Sequence, residues 1–195
     1  MSAHHGSAPA PFEHPAIRRF DDAVDAWFEA HLRGRRWIDR LFFALSAAGD
    51  WSVVWHVLGW ALTLIGGPEG ARQRRREALQ LSIGLGLESA IVNGFLKSRF
   101  RRERPNAAMP RPHHLRTPRT SSFPSGHASA AAFTATTLTA RHGKAPLWWG
   151  LGTLVAASRI HVRIHHASDV VGGAIIGAAL GRVACHLTGR SDSGV

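Results

Sequence analysis

A histidine and an aspartate four residues apart stand at the start of the last apolar stretch of the chain. On a helix, His165 and Asp169 would share one face. A carboxylate there accepts a hydrogen bond from one imidazole nitrogen, which fixes the tautomer and leaves the other nitrogen free to attack an electrophile. Ser168 and Asp169 also suit the N-cap of the helix that follows, and the two roles are compatible. Alone, this pair is only a weak indication of a nucleophile.

A second cluster, the sequence Pro-Ser-Gly-His at residues 124–127, precedes a run of small residues. Backbone amides at a helix N-terminus form an anion site, and Gly126, next to Ser125, permits close approach. His127 would then donate a proton to a leaving oxygen. The alternative is a turn with an incidental histidine, which is the more ordinary interpretation of this cluster in isolation.

The third cluster is cationic. Lys97 and Arg104 are seven residues apart, and Arg159 comes from a separate part of the chain. An arginine fork binds phosphate oxygens in a bidentate way, while lysine acts as a point charge. The alternative is a positive loop that faces lipid headgroups. We adopt that alternative for Arg99, Arg101 and Arg111.

Apolar segments must position these clusters. Four stretches are long enough to cross or nearly cross a bilayer, and a fifth consists mainly of alanine and threonine; they are 51–67, 78–96, 146–160 and 169–188, with 128–140 as the fifth. Several are shorter than the ~20 residues of a simple span, so each must borrow a flanking turn. We expect about five spans. A soluble bundle of buried helices is the alternative, but tryptophans near the segment ends are typical of membrane-interface anchors.

The N-terminal part of the chain differs from the rest. Residues 1–15 are predicted to form a disordered tail, and no apolar segment typical of a secretory signal occurs in residues 1–36. Residues 17–33 and 37–47 carry apolar side chains at helical spacing, which predicts amphipathic helices at the membrane interface. The resulting organisation is a tail, interfacial helices over 16–50 and a transmembrane core over 51–190.

Charge and cysteine content restrict the classes of partner and site. The net charge is +11, from 24 Lys and Arg against 13 Asp and Glu. Such a surplus indicates an anionic partner: nucleic acid, an anionic membrane surface or a phosphorylated substrate. Cys185 is the one cysteine, which excludes an intrachain disulfide and disfavours a cysteine-based zinc site.

In chain order the three clusters read K-x6-R-P, P-S-G-H and S-R-x5-H-x3-D. Together they resemble the signature of the type 2 phosphatidic acid phosphatase (PAP2) superfamily, which also includes vanadium haloperoxidases and bacterial acid phosphatases. The resemblance covers about residues 37–188. The matching residues are Lys97, Arg104, Pro105, Pro124, Ser125, Gly126, His127, Ser158, Arg159, His165 and Asp169.

The resemblance implies a role for each matching polar residue. His165 would be the nucleophile that forms a phosphohistidine, Asp169 its orienting carboxylate, and His127 the acid that protonates the leaving group. No metal and no cofactor are implied. One departure is His166, where members often have an aromatic residue. The implied phosphate-binding residues are Lys97, Arg104, Ser125, Gly126 and Arg159.

These observations predict an all-α integral-membrane bundle of about five to six helices that acts as a lipid phosphatase. The candidate substrates are a polyprenyl diphosphate, a polyprenyl-phosphosugar phosphate, phosphatidate and phosphatidylglycerophosphate. The expected partners are that substrate and the bilayer, without nucleic acid. One alternative is a lipid phosphotransferase of the same superfamily; another is a non-enzymatic basic protein of the membrane surface. Richness in Ala, Arg and Gly indicates a bacterial source.

The basic loops predict an orientation in the membrane. Short loops at 68–77 and 141–145 carry arginine and lysine, and the positive-inside rule assigns such loops to the cytoplasm. The motif-bearing loops then face the outside of the cell membrane. Segment 97–122 holds even more arginine, and phosphate binding accounts for several of those charges.

Overall fold

The computed structural model describes residues 11–65, 67–105 and 120–189, and these ranges are helical, without a strand. They contain seven helices: α1 (Pro15–His31), α2 (Arg36–Ala48), α3 (Val53–Ala61), α4 (Ala71–Arg99), α5 (Gly126–His142), α6 (Ala145–His161) and α7 (Ala167–Leu187). The all-α prediction is confirmed, and every predicted amphipathic or apolar segment overlaps one of these helices. The tail predicted over 1–15 falls mainly on residues 1–10, outside the described ranges.

Helix α5, predicted as a marginal fifth span, is the centre of the bundle. Each residue from 128 to 135 is buried, as expected for a helix of small side chains enclosed on all sides. The glycines of α7 allow its closest contact. A Cβ atom at Gly177 would lie 2.0 Å from the Ser129 carbonyl oxygen, and one at Gly173 would lie 2.4 Å from the Ser125 carbonyl oxygen. The G-x-x-x-G spacing therefore serves helix packing.

Two helices of the described ranges are long and apolar enough to cross a membrane, α4 and α7. The bent pair Arg36–Ala48 and Asp50–Leu64, with an angle of 66°, adds a third if it counts as one span. Helices α5 and α6 have 17 residues each, or about 26 Å at 1.5 Å per residue, slightly less than a hydrocarbon core of ~30 Å. Apolar side chains on the outer face of α4 suit contact with lipid: Leu79, Ile83, Leu87, Ile91 and Phe95.

A π-helical segment, Ala90–Leu96, interrupts α4 one turn before its end. Up to this point the buried positions follow α-helical steps of three or four residues, at Leu81, Leu85, Glu88 and Val92, but the next is Lys97, five residues later. Phe95, where a regular helix would continue its buried face, is 55% exposed. The wider turn thus rotates Lys97 into the interior, and such segments often occur at functional sites.

The arginine-rich connection predicted over 68–77 is a helix from Ala71 onward. Alanine, arginine, glutamine and glutamate are all good helix formers, which explains why the segment continues α4 instead of forming a loop. Gly70, with φ of 76°, makes the turn into the helix. The Arg74 guanidinium donates to the carbonyl oxygens of Gly67 (2.5 Å) and Glu69 (3.0 Å) and so closes this turn.

Helices α1 and α2 pack on the core through the C-terminal end of α6. His161 is buried, stacks on Phe42 at 4.4 Å between ring centroids, and its Nε2 lies 2.9 Å from Asp39 Oδ1. Arg33 donates to the carbonyl oxygens of His161 (3.0 Å) and Ile160 (2.8 Å). These bonds satisfy carbonyl groups that a helix end leaves without partners. Thus the N-terminal helices are fixed against the helices that carry the motifs.

Candidate active site

A cavity of about 230 Å³ lies at the end of the bundle where α4 ends and α5 begins. Residues from all three motifs line it: Lys97, Gly126, His127, Arg159 and His165. The C-terminal ends of α4 and α6 and the N-terminal ends of α5 and α7 meet here. Segments far apart in the sequence therefore bring their polar residues to one place.

A tight turn after α6 places Arg159 and His165 side by side. The backbone amides of Ile164 and His165 both donate to the Arg159 carbonyl oxygen at 3.1 Å. Arg163, with φ of 54°, adopts the left-handed conformation that this reversal requires. The third motif therefore has five residues between its arginine and its histidine because the turn that joins them has this length.

The hydrogen bonds of His165 define its tautomer. The Arg104 guanidinium lies 3.2 Å from His165 Nε2, and because arginine has only donors, Nε2 must be the unprotonated acceptor. The proton is then on Nδ1, which lies 3.6 Å from Asp169 Oδ2. Burial holds the pKa of His165 well below its ordinary value, and nearby cations lower it further, against the opposing effect of Asp169. His165 is thus a neutral imidazole whose Nε2 lone pair accepts from Arg104.

Asp169 is fully buried and both of its carboxylate oxygens have donors. Oδ2 accepts from Ser122 Oγ at 2.5 Å and from the His166 amide at 2.8 Å, while Oδ1 accepts from Arg102 at 2.5 Å. With His166 as N-cap, Asp169 is the third residue of α7 and completes a capping box. The N-cap is therefore His166, and not Ser168 or Asp169 as the sequence predicted, while Asp169 combines its place in the capping box with a position behind His165.

Two cations, Lys97 and Arg159, line the cavity. A third, Arg104, contacts His165, which also lines it. Lys97 and Arg159 are buried, and Lys97 interacts electrostatically with Arg104 and Arg159. Arg159 donates to the Ser46 hydroxyl and, at 3.4 Å, to the Ser46 carbonyl oxygen. Like charges held this closely repel each other unless an anion joins them, so the geometry favours a phosphate group. Within the described ranges, no group of three or more His, Cys, Asp or Glu is placed to hold a metal ion.

Ser125 and Gly126 begin helix α5. Ser125 is the N-cap, fully buried, and its Oγ accepts from the Ala128 amide at 3.4 Å. Its own amide donates to the Asp169 carbonyl oxygen at 3.0 Å, which joins the second motif to the third. A Cβ atom at Gly126 would lie 2.5 Å from Asn93 Oδ1, so glycine is needed for the approach of α4. Gly126 lines the cavity, whereas Ser125 lies beneath it.

His127 is held by the junction between α2 and α3. Its Nε2 lies 3.2 Å from both the Ser46 carbonyl oxygen and Asp50 Oδ1, and since both are acceptors, Nε2 carries a proton. Gly49 makes room for the ring, because a Cβ atom there would lie 2.5 Å from His127 Cδ2. His127 lies before the apolar stretch of α5. Burial lowers the pKa of His127, and the hydrogen bond to Asp50 raises it.

Five polar residues around the site were not identified from the sequence: Asp21, Ser46, Asp50, Arg102 and Ser122. None belongs to a recognisable motif. Arg102 lies inside the K-x6-R-P interval and Ser122 lies just before P-S-G-H, so proximity to a motif was the one available signal for them. For Asp21 and Ser46, which belong to amphipathic helices, linear spacing carried no such signal.

Comparison with known proteins gives matches within one family. A model of the PAP2 superfamily matches residues 77–192, more than half of the chain. Decaprenylphosphoryl-5-phosphoribose phosphatase of Mycobacterium tuberculosis, found in two strains, is 32% identical over 146 residues, covering 75% of this chain and 81% of the relative. The crystal structure of a transmembrane PAP2-type phosphatidylglycerolphosphate phosphatase from Bacillus subtilis superimposes with a TM-score of 0.68. That comparison covers 91% of this chain and 89% of the other at 21% identity, and shows a shared fold.

The family match and the bacterial relative establish the class of protein. The long apolar helices α4 and α7, and the likeness to a transmembrane structure, establish its setting in a membrane. We conclude that this chain belongs to the PAP2 superfamily and is a membrane phosphatase of its lipid phosphatase branch.

Proposed function

We propose that this phosphatase hydrolyses the phosphate monoester of a polyprenyl-linked phosphosugar, with His165 as the nucleophile. One observation carries the proposal: an unprotonated Nε2 of His165 adjoins a cavity that also contains His127, Lys97 and Arg159. A nucleophile, an acid and a phosphate clamp are the groups that phosphoryl transfer through a covalent intermediate requires.

In the first step, the substrate phosphate binds among Lys97, Arg104 and Arg159. An N–H of Arg104 leaves Nε2 of His165 for a phosphate oxygen, which frees the lone pair. Nε2 then forms a bond to phosphorus as the bond from phosphorus to the leaving oxygen breaks. His127, which enters this step as an imidazolium paired with Asp50, gives that oxygen a proton and becomes a neutral imidazole. The positive charge that develops on the His165 ring is stabilised by the Asp169 carboxylate, which lies 3.6 Å from Nδ1.

In the second step, a water molecule takes the place of the leaving group. His127, now without the transferred proton, accepts a proton from this water as its oxygen attacks phosphorus. The bond between Nε2 and phosphorus breaks, the electron pair returns to His165, and inorganic phosphate leaves. Both histidines then regain their starting protonation states.

The choice of a phosphosugar rests on the relative and on the surroundings of His127. The relative acts on a decaprenylphosphoryl phosphoribose. Because His127 protonates the leaving oxygen, the leaving group must lie near it, where Asp50, Trp51 and Ser52 line the cavity. A carboxylate and a hydroxyl suit sugar hydroxyls, and the exposed Trp51 offers an apolar face.

Substrate preference is tested with the purified protein in detergent. Phosphate release is measured on a polyprenyl-phosphosugar phosphate, a polyprenyl diphosphate, phosphatidate and phosphatidylglycerophosphate. We expect the highest kcat/KM for the phosphosugar lipid, and the His165→Ala variant corrects for background release. A higher kcat/KM for another lipid would contradict the substrate assignment, and a product that requires an added alcohol would identify a phosphotransferase.

The same assay tests the chemistry. The proposed steps require only side chains of this chain, so phosphate release should persist in EDTA. Vanadate should inhibit, because it mimics the trigonal-bipyramidal phosphoryl group in the cationic cavity. Loss of activity in EDTA that magnesium restores would point to a different mechanism.

We further propose that the cavity opens to the outside of the cell membrane. The opposite end of the bundle carries the arginines at the start of α4, together with Arg141 and Lys144, and short basic segments favour the cytoplasm. Single cysteines at the exposed Glu69 and Thr120 positions, in a Cys185→Ala background, test this with an impermeant thiol reagent on intact cells. Labelling at position 120 alone is expected, and labelling at 69 alone would reverse the orientation.

A further inference from the structure

Helix α1 contributes a buried carboxylate to the first turn of α7. Asp21 is 6% exposed. Its Oδ1 accepts from the Ser168 amide at 2.8 Å, and its Oδ2 accepts from the Ser168 hydroxyl at 2.8 Å. The amides of a first helical turn have no partner within the helix, and a carboxylate is favoured near them. Asp21, on helix α1, therefore caps the first turn of α7 at Ser168, the residue before Asp169.

Arg102 joins Asp21 to Asp169. One guanidinium nitrogen donates to Asp169 Oδ1 at 2.5 Å, and the other donates to Asp21 Oδ2 at 2.6 Å. The side chains of all three residues are at most 9% exposed. One buried cation is thus shared between two buried carboxylates, in an environment where such interactions are screened little by solvent.

The backbone of Arg102 reaches the same carboxylate by a second route. Its carbonyl oxygen accepts from the Ser122 amide at 2.9 Å, and Ser122 Oγ donates to Asp169 Oδ2 at 2.5 Å. Arg102 therefore constrains both oxygens of Asp169, one through its side chain and one through Ser122. A displacement of Arg102 would therefore disturb a contact at each oxygen of the carboxylate that faces Nδ1 of His165.

We propose that Asp21 is a positioning residue for the proposed phosphohistidine chemistry, acting through Arg102 and Ser168 on Asp169. Asp21 balances the charge of Arg102. Without that balance, the full attraction of Arg102 falls on Asp169 Oδ1 and draws the carboxylate away from Nδ1 of His165. Loss of the cap on the Ser168 amide also loosens the turn that carries Asp169. The inference rests on the proposed function for its kinetic consequence but not for its structural one.

This inference extends the active site beyond the family match. The matching family model begins at residue 77, whereas Asp21 belongs to a helix near the start of the chain. Helix α1, predicted as an amphipathic element of the membrane interface, would then also help to position the active site.

The kinetic test compares Asp21→Asn with Asp22→Asn, an exposed neighbour on the same helix. Asparagine keeps an acceptor for Ser168 but removes the charge. On a lipid phosphate that the unmodified protein hydrolyses, we expect kcat to fall roughly 10-fold and KM to stay within about 2-fold, since misplacement of a catalytic group slows turnover. Asp21→Glu, which restores the charge, should recover part of the loss, and Asp22→Asn should match the unmodified protein.

A double-mutant cycle separates positioning from general destabilisation. In an Asp169→Asn background there is no carboxylate to position, so Asp21→Asn should change kcat by less than about 2-fold. A destabilising effect on the whole fold would lower kcat by a similar factor in both backgrounds. An equal loss in both backgrounds, or a kcat of Asp21→Asn equal to that of Asp22→Asn, would overturn the inference.

A spectroscopic readout does not depend on turnover. The Nδ1 proton of His165 can be identified by NMR from its absence in His165→Ala. Its resonance reports the surroundings of Nδ1, which lies 3.5 Å from Ser122 Oγ and 3.6 Å from Asp169 Oδ2. We expect an upfield shift in Asp21→Asn and no shift in Asp22→Asn. If the unmodified protein hydrolyses no lipid phosphate, the proposed function fails and this resonance alone decides on Asp21. An unchanged resonance in Asp21→Asn overturns the inference.

Discussion

The two histidines of the cavity are held in different ways. His165 is 2% exposed, and Asp169 and Ser122 behind it are fully buried. His127 depends on the Ser46 carbonyl oxygen and on Asp50, whose side chain is 42% exposed. His165, the proposed nucleophile, is therefore fixed by a buried network, whereas His127, the proposed acid, is paired with a carboxylate that solvent can reach.

This difference matches the chemistry proposed for each residue. A nucleophile must attack along one line, so a fixed orientation saves reorganisation during the reaction. An acid must give up a proton and then take one from water, which requires access to solvent. Substitutions at His165 or its partners should therefore lower turnover of every substrate alike. The effect of substitutions at His127 or its partners should depend on the leaving group and on pH.

The largest effect is expected for His165→Ala. Turnover should fall roughly 10⁵-fold or more, because loss of a covalent nucleophile removes the whole reaction path. Phosphate release from the purified variant measures this, with the exposed His186→Ala as control and thermal unfolding as a check of folding. Substantial residual turnover by a well-folded His165→Ala protein would exclude it as the nucleophile.

Asp169→Asn should cost roughly 10³-fold, less than His165→Ala, because the imidazole remains but its tautomer and orientation are less well defined. The pH dependence should also change. Since Asp169 raises the pKa of His165, its loss moves the acid limb of kcat/KM to lower pH, starting from a limb already below the ordinary value of 6.5. A pH–rate profile on one substrate checks both points, and a limb that moves to higher pH would contradict the arrangement.

His127→Gln should lower phosphate release roughly 10²- to 10³-fold for alkyl phosphates, in which the leaving oxygen is strongly basic. For an aryl phosphate with a good leaving group the loss should be less than about 10-fold, because little protonation is needed. A series of leaving groups of graded pKa measures this dependence. Equal losses across the series would show that His127 does not act as the acid.

Asp50→Asn should have the smallest effect, about 10-fold or less, because it only tunes His127. Asp50 raises the pKa of His127, so its removal lowers that pKa and moves the basic limb of kcat/KM to lower pH. Asp22→Asn serves as the matched control for loss of one negative charge. If the basic limb stays in place, the pairing of Asp50 with His127 does not influence proton transfer.

Much of the fold followed from local patterns. The predicted segments overlap all seven helices of the described ranges, since burial of a continuous face is a local property of the sequence. Five helices agree to within two residues at each end, whereas α3 ends six residues early and α4 begins seven residues early. The prediction of a connection at 68–77 was wrong. Its arginines suggested a loop, although the residues of this segment favour a helix. The central position of α5 could not be predicted, because small side chains leave open whether a helix faces lipid or other helices.

The site residues also fall into those that the sequence predicted and those that it did not. Motif spacing predicted His165, Asp169, His127 and the cations as parts of one site, because a motif preserves the geometry of one turn or one helix end. It missed the residues that support them, since those contacts join segments remote in the sequence: Asp21 with Ser168, Arg102 with Asp169, and Ser46 with Arg159.

By itself the sequence determined the helical class, the membrane setting and the residue types available for phosphate chemistry. These depend on hydrophobic periodicity, segment length and motif spacing, all of which are linear quantities. Only the tertiary structure decided how these groups are arranged around one cavity. The π-helical turn of α4 brings Lys97 inward, the α6–α7 turn sets Arg159 beside His165, and packing of α1 and α2 supplies Asp21 and Asp50. Such contacts arise from the packing of whole helices, which no local pattern specifies.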